Sequence, residues 1–231
     1  MEQQIAQRAA VAGARQKFIV GVYLWMAAAL MVTGVSAVFA ASSEAFIRFA
    51  FGSRWTFFGL IIDEFALVWY LSANIRTMTK SAAMAAFFGY SVLNGLTLSV
   101  IFLVYTAQSI GQVFFMAAAM FGGMSIYGLV TKRDLMKAGH YLMMGLWGVI
   151  IASLINMFLR SSGFDWLISI VTVAVFTGLT AWDAQKLQRI AVAPEGSDIA
   201  VKQSIFGALQ LYLDFINLFL ALLRLFGNRR R

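Results

Sequence analysis

The chain has 231 residues, is 61% hydrophobic, has only 12% charged residues, and carries a formal net charge of +8. A soluble domain is about 25% charged, so this composition cannot cover a water-facing surface. The absence of cysteine excludes a disulfide framework, a thiol nucleophile and a cysteine-based metal site. No basic run is interleaved with aromatics in the way nucleic-acid binding requires.

A bilayer core about 30 Å thick is crossed by about 20 apolar residues in a helix. A tail over residues 1–17, with Arg8, Arg15 and Lys17, precedes the first apolar run, 18–41. That run is longer than the apolar region of a signal peptide (about 7–15 residues), so it is read as a retained helix. The second run, 55–73, contains the adjacent acids Asp63 and Glu64. Neighbours on a helix point about 100° apart, so at least one of the two faces protein or water. Arg76, three turns beyond Glu64, either pairs with an acid on a neighbouring helix or reaches the interface, the commoner fate of a span-end arginine. In the third run, 82–105, Ser91, Asn94 and Thr97 fall close to one face and suit interhelical hydrogen bonds.

The fourth run, 109–130, holds Ala118-xxx-Gly122 and Ala119-xxx-Gly123, small-residue spacings that allow close helix approach. Met116, Met120 and Met124 recur there as apolar filler. The fifth, 140–159, opens on His140, read as structural rather than as a ligand. The sixth, 164–183, ends on Asp183, with Thr180 one turn before and Lys186 one turn after. Two readings of Asp183 stand: a headgroup-solvated acid paired with Lys186, or an interior residue. A loop over 184–202 contains the turn-like cluster Pro194, Glu195, Gly196 and Ser197.

The seventh run, 203–227, is the most informative. Taken at alternating steps of four and three, Gln203, Gly207, Gln210, Asp214, Asn217, Ala221 and Arg224 share one face, and all are polar or small. An acid within a span costs at least about 2.5–3.5 kcal/mol. The stripe therefore predicts an interior helix, with Asp214 supported by Gln210 and Asn217 close to mid-membrane. A basic tail, 228–231, follows. The expected fold is an all-α integral membrane protein, a single domain of seven transmembrane helices over 18–227. Lysines and arginines concentrate in the amino-terminal tail and alternate gaps, eleven against three on the other side, which predicts a cytoplasmic amino terminus. The four arginines at 224 and 229–231 oppose full crossing of the last run. With no Ser-His-Asp set, phosphate loop or zinc motif, neither an enzyme nor a bound cofactor is expected.

The segment LYLDFINLFLALLRLFG at 211–227 resembles the final helix of the transmembrane Bax-inhibitor motif family. TAWDAQKLQ at 180–188 resembles the acid-bearing end of that family's sixth helix. The stretch from Glu64 to Arg76, and NGLTLS at 94–99, are similar to its second and third helices. The short tails resemble bacterial members, which implies the inner membrane. The resemblance implies six helices surrounding a central last one, and a carboxylate pair formed by Asp183 and Asp214. It also implies a proton-sensitive leak of calcium, or alternatively modulation of a membrane-bound quality-control protease.

Two facing carboxylates in a low-dielectric site cannot both ionise cheaply, so they titrate as a unit. Sharing a proton, such a pair holds two helices together. Without it, the pair repels or draws a hard cation such as calcium to its oxygens. The proton-sensing and ion-pathway candidates are thus Asp183, Asp214, Glu64, Asp63 and Arg76, with possible calcium ligation at Asp183 and Asp214. The expected partners are the lipid bilayer, calcium and, in the alternative, the protease. Axial rise along the predicted spans separates Asp183 from Asp214 by about 10 Å, an offset that tilt or a shifted helix start must close.

Overall fold

A computed structural model describes residues 1–190, 193–194 and 196–230, with the side chains of residues 2, 5–11, 54 and 57 outside the description. Glu195 of the expected turn, the Arg8 side chain and Arg231 therefore lie outside the described residues. The described residues are helical almost throughout: α1 (Glu2–Ser42), α2 (Glu44–Phe51), α3 (Arg54–Asn74), α4 (Lys80–Leu98), α5 (Ile101–Val104), α6 (Ala107–Val130), α7 (Met136–Leu159), α8 (Ser162–Arg189) and α9 (Asp198–Phe226). Hydroxyl side chains set many of the starts. Ser43, Ser53, Thr79, Thr106 and Ser161 each accept a hydrogen bond from a backbone N–H in the first turn of α2, α3, α4, α6 and α8.

Six stretches among the described residues are long and apolar enough to cross a membrane: Ala12–Ser42, Lys80–Val104, Ala107–Val130, Met136–Leu159, Ser162–Arg189 and Asp198–Phe226. They coincide with six of the seven expected runs. The other run, 55–73, is the helix α3, which stands outside that set. The short helix α2 was not expected from the sequence.

The chain divides into two compact units. The first comprises residues 1–103 and 191–209. In it α1 lies along α4, and α3 packs on the same helix. The Thr33 hydroxyl of α1 donates to the Ser91 carbonyl of α4 (2.9 Å). Gly95 lets the two backbones meet, since a β-carbon there would lie 2.5 Å from the Thr33 carbonyl oxygen. The Lys202 ammonium of α9 donates to the carbonyls of Arg76 (3.0 Å) and Met78 (3.1 Å), capping the turn after α3.

The second unit comprises residues 104–190 and 210–231. In it α6 and α7 both pack on α8. Gly128 of α6 abuts the Ala181 backbone of α8, and Gly139 of α7 abuts the Trp182 ring. Rings of Phe114 and Phe121 on α6 meet Phe215 of α9 edge to face at 5.4 and 5.6 Å. Beyond α9 the chain turns back along the start of α6. Tyr105 and Arg229 form an antiparallel bridge, and the Asn228 N–H donates to Ser109 Oγ (2.9 Å). Residues 228–230 are thus tied down rather than a free basic tail, and the carboxyl-terminal end of α9 reaches the amino-terminal end of α6.

Two expectations are corrected here. A β-carbon at Gly122 or Gly123 would meet nothing within 4 Å, so the Ala118/Gly122 and Ala119/Gly123 spacings do not form the close approach. Gly128 forms it instead, on the face that buries Ile110, Val113, Ala117, Phe121 and Ser125. Asp214 sits beside Asp183, two residues past the Ala181–Gly128 contact and so near the end where α6 stops. The sequence reading took Gln203 as the entry of the last helix, whereas α9 begins at Asp198.

Candidate functional site

Among the described residues Asp183 and Asp214 are the two buried acids, with 6% and 5% of their surface exposed. Helix α8 continues to Arg189, so Asp183 lies within the helix rather than at its end. Two glutamines hold that last stretch of α8 in place. Gln185 donates to the Arg133 carbonyl (2.8 Å) and accepts from the Leu135 N–H (2.8 Å), and Gln188 donates to the Leu129 carbonyl. Arg189 pairs with Asp134 (2.7 Å). The loop between α6 and α7 is thereby fastened to α8, and Asp183 faces inward. Asp134 itself lies outside the spans. The Met136 backbone N–H and the Arg189 guanidinium hold its carboxyl below the usual carboxylate range.

The carboxyl groups of Asp183 and Asp214 lie within hydrogen-bonding reach of each other. A hydrogen bond between two carboxyl groups exists only when one carries a proton, because ionised carboxylates only accept. Lys186 Nζ stands 3.6 Å from Asp183 Oδ1 and 4.8 Å from the Trp182 ring centre. Both Asp183 Oδ1 and Asp214 Oδ2 are buried without a hydrogen-bond donor among the described residues. The two readings of Asp183 therefore combine: it is interior and it is ion-paired with Lys186. The axial offset expected from the predicted spans is absent, since the two carboxyl groups are neighbours.

The remaining candidates fall elsewhere. Glu64 and Asp63 separate as their 100° offset requires. Glu64 is half-buried and accepts hydrogen bonds from Thr97 and Asn94 of α4, while Asp63 is exposed. Two residues of the polar face expected on the third run thus serve Glu64, while the Ser91 hydroxyl donates to the Phe87 carbonyl. Arg76 is exposed in the turn after α3. Gln210 and Asn217 are half-buried, and Asn217 donates to the Leu213 carbonyl of its own helix (2.8 Å). Thr180 is buried and donates to the Phe176 carbonyl (2.7 Å). His140 is exposed, its ring 5.9 Å from that of Tyr141. Sequence reasoning passed over Gln185, Gln188, Asp134 and Arg189 as site-building residues. The i, i+3 spacing of the two glutamines, one shared helix face, was the available signal.

A family model described as "Inhibitor of apoptosis-promoting Bax1" matches residues 15–231. The chain belongs to this Bax inhibitor family. It is 48% identical over 217 residues to the "Inner membrane protein YbhL" of Escherichia coli K12, covering 93% of each chain. It is 43% identical to an uncharacterized protein of Borreliella burgdorferi, covering 94% of each. It is 41% identical to one of Rickettsia prowazekii, covering 93% of this chain and 91% of that one. Family membership and the six apolar helices together make it a membrane protein whose outer surface contacts the bilayer.

Among the described residues no three His, Cys, Asp or Glu side chains cluster as a metal site. Two carboxylates supply at most four of the six to eight oxygens that calcium takes. Two facing carboxyl groups can share a proton or present oxygens to a hard cation, whose other ligands would be backbone carbonyls or water.

Proposed function

We propose that this protein is a proton-sensitive passive cation leak, with calcium as the ion, and that the Asp183–Asp214 pair is its gate. The observation that supports this most is a buried carboxylate pair, within hydrogen-bonding reach, inside an apolar helical protein. A second acid beside the first raises the cost of burial, so a site that keeps both points to a use for them. With a proton shared, the pair joins α8 to α9 and the path is closed. When the proton leaves, the two charges repel across the α8–α9 contact and present oxygens to a passing cation. Lys186 tempers that repulsion from the Asp183 side.

In the same reading α3 is the seventh span. Glu64 is its inward acid, serviced by Asn94 and Thr97, and the last helix crosses fully. Residues 226–230 at the start of α6 support that crossing. The excess of lysine and arginine puts the amino terminus in the cytoplasm, and the relative named an inner membrane protein supports a bacterial inner membrane.

Purified protein in liposomes loaded with a calcium dye tests the leak. Flux that depends on the protein, and that an Asp183→Asn, Asp214→Asn double variant changes, is expected. Flux unchanged by the double variant would remove the pair from the mechanism. Absence of any flux, with a protease co-purifying from native membranes, would favour the alternative of a non-transporting modulator of a membrane-bound quality-control protease.

A further inference from the structure

At the end of the second unit away from the aspartate pair, a groove of about 370 Å³ is lined by Ser153, Asn156, Met157, Asp165 and Arg224. Three helix ends build it: the last turns of α7, the first turn of α8 and the last turn of α9. The αL conformation of Arg160 (φ 52°) turns the chain sharply between α7 and α8. Asn156 Oδ1 accepts from the Ser161 N–H (3.1 Å), fixing that turn.

The groove presents one acid and one base that do not neutralise each other. Among the described residues neither Asp165 nor Arg224 is in an ion pair. Each alone has an ordinary explanation, since an acid suits a helix start and a base a helix end. Those explanations do not account for their convergence on one polar recess, with an amide and a hydroxyl between lipid-exposed surfaces. Leu154, Met157, Phe158, Trp166 and Leu167 are exposed beside it. In a membrane-spanning helix such side chains face acyl chains, and tryptophan marks the interface.

We propose that this groove binds the headgroup of a zwitterionic phospholipid carrying a primary ammonium, such as phosphatidylethanolamine. The phosphodiester meets the Arg224 guanidinium, which suits phosphate oxygens. The ammonium donates to the Asp165 carboxylate, and the acyl chains run down the apolar faces of α7 and α8. A quaternary ammonium has no N–H to donate, and an anionic glycerol headgroup has no cation for Asp165. Partly exposed ion pairs of this kind are modest, so the expected preference is about two- to fivefold.

Native mass spectrometry of the purified protein, titrated with ethanolamine, choline and glycerol phospholipids of identical acyl chains, tests this. The ethanolamine lipid should bind about two- to fivefold more tightly than the other two. Asp165→Asn should erase that ranking, and Arg224→Gln should weaken all three lipids. Equal binding of the three lipids to the unmodified protein would overturn the proposal, as would a ranking that survives Asp165→Asn. Soluble phosphoethanolamine binding as tightly as the lipid would overturn the assignment to a membrane lipid.

Discussion

Asp63 and Glu64 are adjacent in the chain, yet Glu64 rests half-buried on Asn94 and Thr97 and Asp63 is exposed. Removing an acceptor from buried donors costs about 1–3 kcal/mol. Glu64→Ala is therefore expected to lower thermal stability in detergent by that order, with Asp63→Asn close to neutral. Equal effects would contradict the assignment of Glu64 as the inward acid. Asp134 gives a pH signature. Its carboxyl is held below the reference value of 3.8 in the folded protein. Its contribution is thus present above pH 3.8 and is lost as pH falls through the lower folded value. Asp134→Asn should reduce the melting temperature at neutral pH, and the difference should shrink only under strongly acidic conditions. At this scale the sequence was informative where a residue carried its own contradiction, as Asp214 does in an apolar helix. For Gln185 and Gln188 it offered only their shared helix face, because their partners are backbone groups of α6 and the α6–α7 loop, far away in the chain.

At the scale of elements, hydropathy located the helices closely because apolar length is what a bilayer demands. The 164–183 run is the exception in extent. Gln185, Gln188 and Arg189 end the hydropathy signal while α8 continues, because their side chains are spent on the end of α6 and the α6–α7 loop. The small-residue spacings misled for a related reason. A Gly or Ala every four residues permits close approach, but only a partner helix decides which face is used. Gly128 therefore carries a sharp prediction. A β-carbon there meets the Ala181 backbone, and overpacking of this kind costs about 1–3 kcal/mol. Gly128→Ala should lower thermal stability and disturb Asp183 two residues on. Gly122→Ala and Gly123→Ala should be tolerated. Comparable losses at all three positions, read by fluorescence-detected unfolding, would contradict the packing described for α6 and α8.

For the whole molecule, the proposed seven-span arrangement, with α3 as a crossing, puts the two chain ends on opposite sides of the membrane. Single cysteines introduced into this cysteine-free chain, one at Gln3 and one at Asn228, should react with an impermeant reagent from different sides of sealed vesicles. The family membership gives the fold class its frame, and the proposed gate assigns the aspartate pair its role within it. Two acids at a shared site act as one group, so their effects on a gate are not additive. The most direct measurement is calcium flux into liposomes across a pH series, for the unmodified protein, Asp183→Asn, Asp214→Asn and the double variant. Flux in the unmodified protein should fall as pH is lowered, and each single substitution should abolish that dependence as fully as the double. A pH dependence that persists in the double variant would contradict the shared-proton gate.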